Sequence, residues 1–210
     1  MWSISVEWIV LAVLVFWAVG AYNRIMRLRT ACVQAFGALD SYLQQAQGLL
    51  GEWNAAQTVV AEETPADDAA ADDAAADAAA AGTAMAPQRL ADAAWQQSLA
   101  AMGAALAAAR ARPLHAPTLE RFERAHEAQF VAWQALKSLP GTCNDPAWRL
   151  RWQQQQAQAG LATDQFNTAV AHYNAAIAQF PARVLAWFFG FRAARPLQPA
   201  LGAPLSDTAA

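Results

Sequence analysis

Fifteen consecutive residues, Trp8 to Tyr22 (WIVLAVLVFWAVGAY), carry neither charge nor proline. Extending the run back to Trp2 adds only Ser3, Ser5 and Glu7 as polar interruptions. The resulting helix is about 31 Å long at 1.5 Å per residue, the thickness of the hydrocarbon core of a bilayer. Trp2, Trp8, Trp17 and Tyr22 set rings near both ends, where interfacial aromatics sit. A cleaved secretory signal is the first rival, since Ala18-Val19-Gly20 is small-x-small. It lacks a basic leader, however; Glu7 has the wrong sign and Phe16 and Trp17 crowd the cleavage site. A buried core helix is the second rival, and a helix apolar on every side needs a larger protein around it. Residues 1–22 are therefore expected to form an uncleaved transmembrane anchor. Arg24, Arg27 and Arg29 come directly after it, so the positive-inside rule predicts an inner-membrane, single-pass chain with its N-terminus outside and its body cytoplasmic.

No helix breaker separates the anchor from the next stretch of chain. Ile25, Leu28, Cys32, Phe36, Leu39, Leu43, Ala46 and Leu49 recur at three- and four-residue steps, which predicts a first bundle helix over 23–60. Composition then shifts: residues 61–86 are mostly Ala, Asp and Glu, with nothing large and aliphatic to anchor them, and read as a solvated linker. The remaining bundle helices are expected within 87–181. One runs from about Gln88 to Ala111, with Leu90, Trp95, Leu99, Met102 and Leu106 on one face. The next runs from about Pro117 to Leu139 on Leu119, Phe122, His126, Phe130, Trp133 and Leu136. Asp145-Pro146 supplies an N-cap and a proline at N1 for the last. Its stripe of Trp148, Trp152, Gln155, Ala159, Ala162, Phe166, Val170, Tyr173, Ile177 and Phe180 approaches a coiled-coil heptad, and Pro181 ends it. The Gln153–Gln156 run reads as that helix's outer face. No stretch alternates as a strand would. The expected fold is all-α: a transmembrane helix continuing into a mainly antiparallel helical bundle.

Residues 182–195 place Trp187, Phe188, Phe189 and Phe191 among Arg183, Arg192 and Arg195. The segment is too short to span a bilayer. It either lies in the lipid interface, rings down and arginines toward headgroups together with Arg24 and Arg27, or folds back on the bundle end. Residues 196–210 read as a disordered tail.

Charge and motifs exclude several chemistries. Fourteen basic residues against seventeen acidic ones give −3, and without the seven acids between Glu62 and Asp77 the rest carries +4. Neither balance suits a charge-driven nucleic-acid binder. Two cysteines, Cys32 and Cys143, make no disulfide framework or C-x-x-C and are expected as thiols. Glu123-x-x-His126 has the spacing of di-iron bundles, but those need it twice and it occurs once. Phosphate-loop, dinucleotide, zinc-protease and nucleophile-elbow motifs are missing. No cofactor or enzymatic activity is expected.

Two stretches carry a family resemblance. Tyr22-Asn23-Arg24-Ile25, Leu28-Arg29, Ala35-Phe36, Leu39-Asp40 and Leu43 succeed one another without a gap. Phe166-Asn167, Val170, Tyr173-Asn174, Ile177, Phe180-Pro181, Ala186 and Gly190-Phe191 form the second. Together, beside an N-terminal anchor, they resemble the opening and closing motifs of the LemA family. Cys32 stands in place of a branched aliphatic, Phe36 of a Trp, Phe166 of a Tyr and Thr163 of an Arg. The resemblance implies a single-pass bacterial membrane protein with a cytoplasmic helical bundle; it does not imply an enzyme. Asn167 and Asn174, seven residues apart on one face, are expected to fix helix register through hydrogen bonds. Asp40, mid-helix on an apolar stripe, is expected to need an Arg or an Asn amide as partner. The functional expectation is a scaffold that contacts membrane lipid and protein partners, including a second copy of itself, at the cytoplasmic membrane face. The alternative is an envelope-facing binding protein of inverted topology.

Overall fold

A computed structural model describes residues 2–62, 74–138, 145–180 and 182–198. They form five helices: α1 (Trp2–Glu62), α2 (Ala74–Ala111), α3 (Ala116–Lys137), α4 (Pro146–Ala178) and α5 (Ala182–Phe188), with no strand among them. α1 is one continuous helix that carries both the apolar run and the first bundle stripe. It is long and apolar enough to cross a membrane, and the apolar window has almost no burial against the rest of the chain. Trp8, Ile9, Leu14 and Phe16 all face outward.

α1–α4 form the bundle. Cross-helix contacts give its register. Tyr42 pairs with Gln155 and Leu49 with Trp148, so α4 runs antiparallel to α1. Asp40 pairs with Arg110 and Asn54 with Gln96, so α2 also runs antiparallel to α1. Gln47 meets Gln129 and Trp53 meets Trp133, which makes α3 parallel to α1. The N-cap of α4 forms as the sequence predicts, with Asp145 accepting from the Ala147 amide and Pro146 at N1.

The core has two storeys. Nearer the apolar end of α1 lie Ile25, Cys32, Phe36, Leu39 and Leu43 with Met102, Leu106, Leu119, Phe122, Phe166, Val170 and Tyr173. Farther out, Leu50 and five tryptophans (Trp53, Trp95, Trp133, Trp148 and Trp152) close the bundle. Trp133 is the hub, with ring centroids 4.7 Å from Trp53, 5.5 Å from Trp95, 5.5 Å from Trp148 and 6.3 Å from Trp152.

Several expectations change. α2 begins at Ala74, inside the segment expected to be linker, because a run of alanine is the best helix former even without a core to pack on; residues 63–73 lie outside the described residues. Leu90 is exposed: the α1–α2 register sets it opposite residue 60, where α1 is ending. Phe130 also faces solvent, its place on the inner face of α3 taken by Gln129. Gln156 is buried rather than on the outer face of α4. Phe180 is 83% exposed, because α4 stops at Ala178 and Gln179 is extended, turning the chain off the stripe. Residues 196–198, expected as disordered tail, run along the bundle with Leu197 buried and Pro196 and Gln198 exposed.

Candidate functional site

The two motif stretches meet at the end of the bundle nearest the apolar run. Phe36 on α1 packs edge-on against Phe166 on α4, with centroids 5.8 Å apart. Asp40 receives Arg110 Nε at 2.7 Å and Gln44 Nε2 at 2.8 Å, so its expected partner is an arginine from α2. Cys32 is fully buried, and burial pushes its thiol pKa up. Burial likewise raises the phenol pKa of Tyr173, opposed by the nearby Arg29 guanidinium. Asn23, Arg24, Arg27 and Arg29 are on the exposed side of α1.

After α4 the chain turns into α5 and then back along the bundle. Gly190 ends α5 in a left-handed conformation, φ 69°. The Phe191 amide bonds to the Ala186 carbonyl at 2.8 Å and the Gly190 amide to Trp187 at 3.3 Å, the paired bonds of a Schellman cap. This explains Gly190-Phe191: only glycine takes that φ freely, and the cap aims the residues after it back over α4.

Residues 192–198 run as an extended strap held by α3 and α4. Asn174 donates to the Ala194 carbonyl at 2.7 Å and accepts from the Ala194 amide at 2.8 Å. Asn167 repeats the arrangement on Leu197, at 2.9 Å and 2.8 Å. Tyr173 Oη donates to the Arg192 carbonyl at 3.1 Å. The register has a simple cause. Seven helical residues rise about 10.5 Å, and three extended residues cover about 9–10 Å, so each asparagine meets every third strap residue. A primary amide offers a donor and an acceptor side by side, which complements one residue's N–H and C=O. The asparagines therefore hold an extended chain rather than setting helix–helix register. On the other side, Arg195 bridges Glu120 at 2.7 Å and Glu123 at 3.0 Å, and Glu123 also accepts from the Gln198 amide at 2.9 Å. Glu123 is thus engaged with the strap, not with His126. His126 is half-buried, and desolvation lowers its pKa to about 4.

α5 has two sides. Ala186 is buried in the core, while Val184, Trp187 and Phe188 face outward at 58%, 84% and 76% exposure. Phe189 and Phe191 close on Tyr22 at 5.2 Å and 6.1 Å. The segment both folds back on the bundle and leaves an aromatic patch beside the last ring of the apolar run. Arg192 is exposed next to it; Pro181 and Cys143 lie outside the described residues. Sequence reasoning missed the strap positions Ala194, Leu197 and Gln198. The only signal for them was two Asn residues at a seven-residue interval, which does not say what they hold.

No protein-family model, curated protein or solved structure matches this chain. The fold itself defines the class: an all-helical bundle on a single long N-terminal helix able to span a membrane.

Proposed function

We propose that this chain is a single-pass, membrane-anchored helical-bundle protein of the LemA type, with a non-enzymatic scaffolding role at the cytoplasmic face of the inner membrane. One observation carries the reading. Phe189, directly after α5, packs on Tyr22, where the apolar run of α1 ends, and the exposed Phe188 ring packs on Phe189, at the height a headgroup layer would occupy. Trp187 and Phe188 then enter the interface while Arg24, Arg27 and Arg192 sit among anionic headgroups. Their exposure, anomalous in water, becomes burial in lipid. The bundle above offers protein partners a rigid, helical surface.

The test combines fractionation, topology and crosslinking. The intact chain is expected in the pellet after an alkaline carbonate wash, and release into the supernatant overturns the anchor. A reporter fused after Leu50 should be active only in the form that works in the cytoplasm; activity only outside would favour the envelope-facing alternative. In-membrane crosslinking with mass spectrometry on the full chain, against a form lacking residues 182–210, should lose lipid adducts at Trp187 and change the protein partners. Unchanged lipid association and partners would remove α5 from the role.

A further inference from the structure

The far storey of the core contains a cavity of about 290 Å³ that the membrane reading does not use. Its walls include the rings of Trp95, Trp133 and Trp152, together with Phe130 and Leu50, and the strap end at Gln198 borders it. Leu50 is 28 residues beyond Tyr22, about 42 Å along α1. The headgroup layer is less than about 10 Å deep on each side. The cavity therefore opens to the aqueous phase, and a bilayer lipid does not reach it.

Its chemistry is selective. The indole N–H groups of Trp95 and Trp152 are buried with no hydrogen-bond partner among the described residues. An indole N–H is a donor only, and leaving one buried and unpaired is destabilising. The buried Gln156 also lines the space, whereas Gln129 is occupied by a reciprocal pair with Gln47 at 3.1 Å and 3.3 Å. Among the described residues no lysine or arginine lines the cavity, and the one formal charge is Glu127. His126 is uncharged at neutral pH because burial lowers its pKa to about 4. An anion finds no counter-charge here and meets a carboxylate at the mouth. Aromatic walls favour a flat ring, and orphaned donors favour an acceptor oxygen.

We propose that this cavity is a binding site for a small, neutral, flat ring compound bearing a carbonyl-type oxygen. The volume fits one or two fused rings, at the lower end of ligand pockets. The ring slides among the indoles and the Gln156 amide donates to the oxygen; the N–H groups of Trp95 and Trp152 are closed off from the space as folded, and either adds a second donor only when its indole turns.

The test uses the full chain in nanodiscs, labelled with ¹⁵N-tryptophan. Its nine indole N–H signals are assigned by single Trp→Phe variants. The probe is 2-quinolone, with naphthalene (no acceptor), quinoline-2-carboxylate (anion) and N-methylquinolinium (cation) as comparisons. 2-Quinolone should shift the Trp95 and Trp152 signals, leave Trp187 in place and bind most tightly of the four. Trp95→Phe and Gln156→Leu should each weaken it about five-fold, the loss of one hydrogen bond. The wild-type signals serve as the readout even where a variant folds poorly. Signals that stay still at millimolar 2-quinolone overturn the proposal. So does naphthalene binding as tightly, which removes the acceptor requirement, or tighter binding of either ion, which overturns the neutral assignment.

Discussion

Asn167 and Asn174 each use both halves of their amide on the backbone of another segment, which makes them the clearest single-residue commitments in the molecule. Asn174→Leu removes two hydrogen bonds and leaves the Ala194 N–H and C=O without partners. A loss of about 2 kcal/mol is expected, read by denaturant unfolding, with faster hydrogen exchange at the Ala194 amide. Asn174→Asp keeps the acceptor but sets a carboxylate against the Ala194 carbonyl, and should be no better. These residues were legible in the sequence as a motif sharing one face. Their role was not, because a strap read through its peptide groups leaves no side-chain periodicity. His126 gives a pH prediction. Its folded pKa, about 4, lies below the ordinary 6.5. Between these values the unfolded chain takes up a proton that the folded chain refuses, so stability falls as pH drops from 6.5 toward 4 and is unaffected above. The loss approaches roughly 3 kcal/mol. His126→Gln should flatten the difference in that window, measured as wild type against variant by thermal unfolding at each pH.

Among the elements, α1 and α4 were the most legible, because each carries a long stripe at three- and four-residue spacing and nearly every stripe position is buried. Phe180 departs only because the helix ends two residues early. The start of α2 was illegible for a different reason: alanine favours helix but signals no face, so periodicity says nothing there. The convergence of five tryptophans was hidden as well, since each helix contributes only one or two and the register between helices is not written in any one of them. Trp133 touches four other indoles, so Trp133→Ala should cost about 3–5 kcal/mol through the cavity it leaves. Leu161, 64% exposed on the outer face of α4, gives the contrast: Leu161→Ala should stay within about 0.5 kcal/mol. Chemical denaturation of the two variants side by side checks both.

For the whole molecule, the two storeys of the core depend on different parts of the chain. Ala186, Ala194 and Leu197 complete the storey near Tyr22, whereas none of the tryptophan cluster comes from beyond α4. Ending the chain after Gln179 should therefore raise hydrogen exchange around Ile25–Leu39 and Phe166–Ile177 and change little at Trp53 and Trp133. Uniform loss of protection would mean the storeys unfold as one. The single rod of α1 has a mechanical consequence. In the proposed membrane-anchored state, the stretch from Tyr22 to Glu62 forms an unhinged lever about 60 Å long. A membrane helix tilts as bilayer thickness changes, and about ten degrees of tilt swings the free tip by about 10 Å. A thinner or thicker membrane would thus re-aim the distal tryptophans like a mast on a rolling deck.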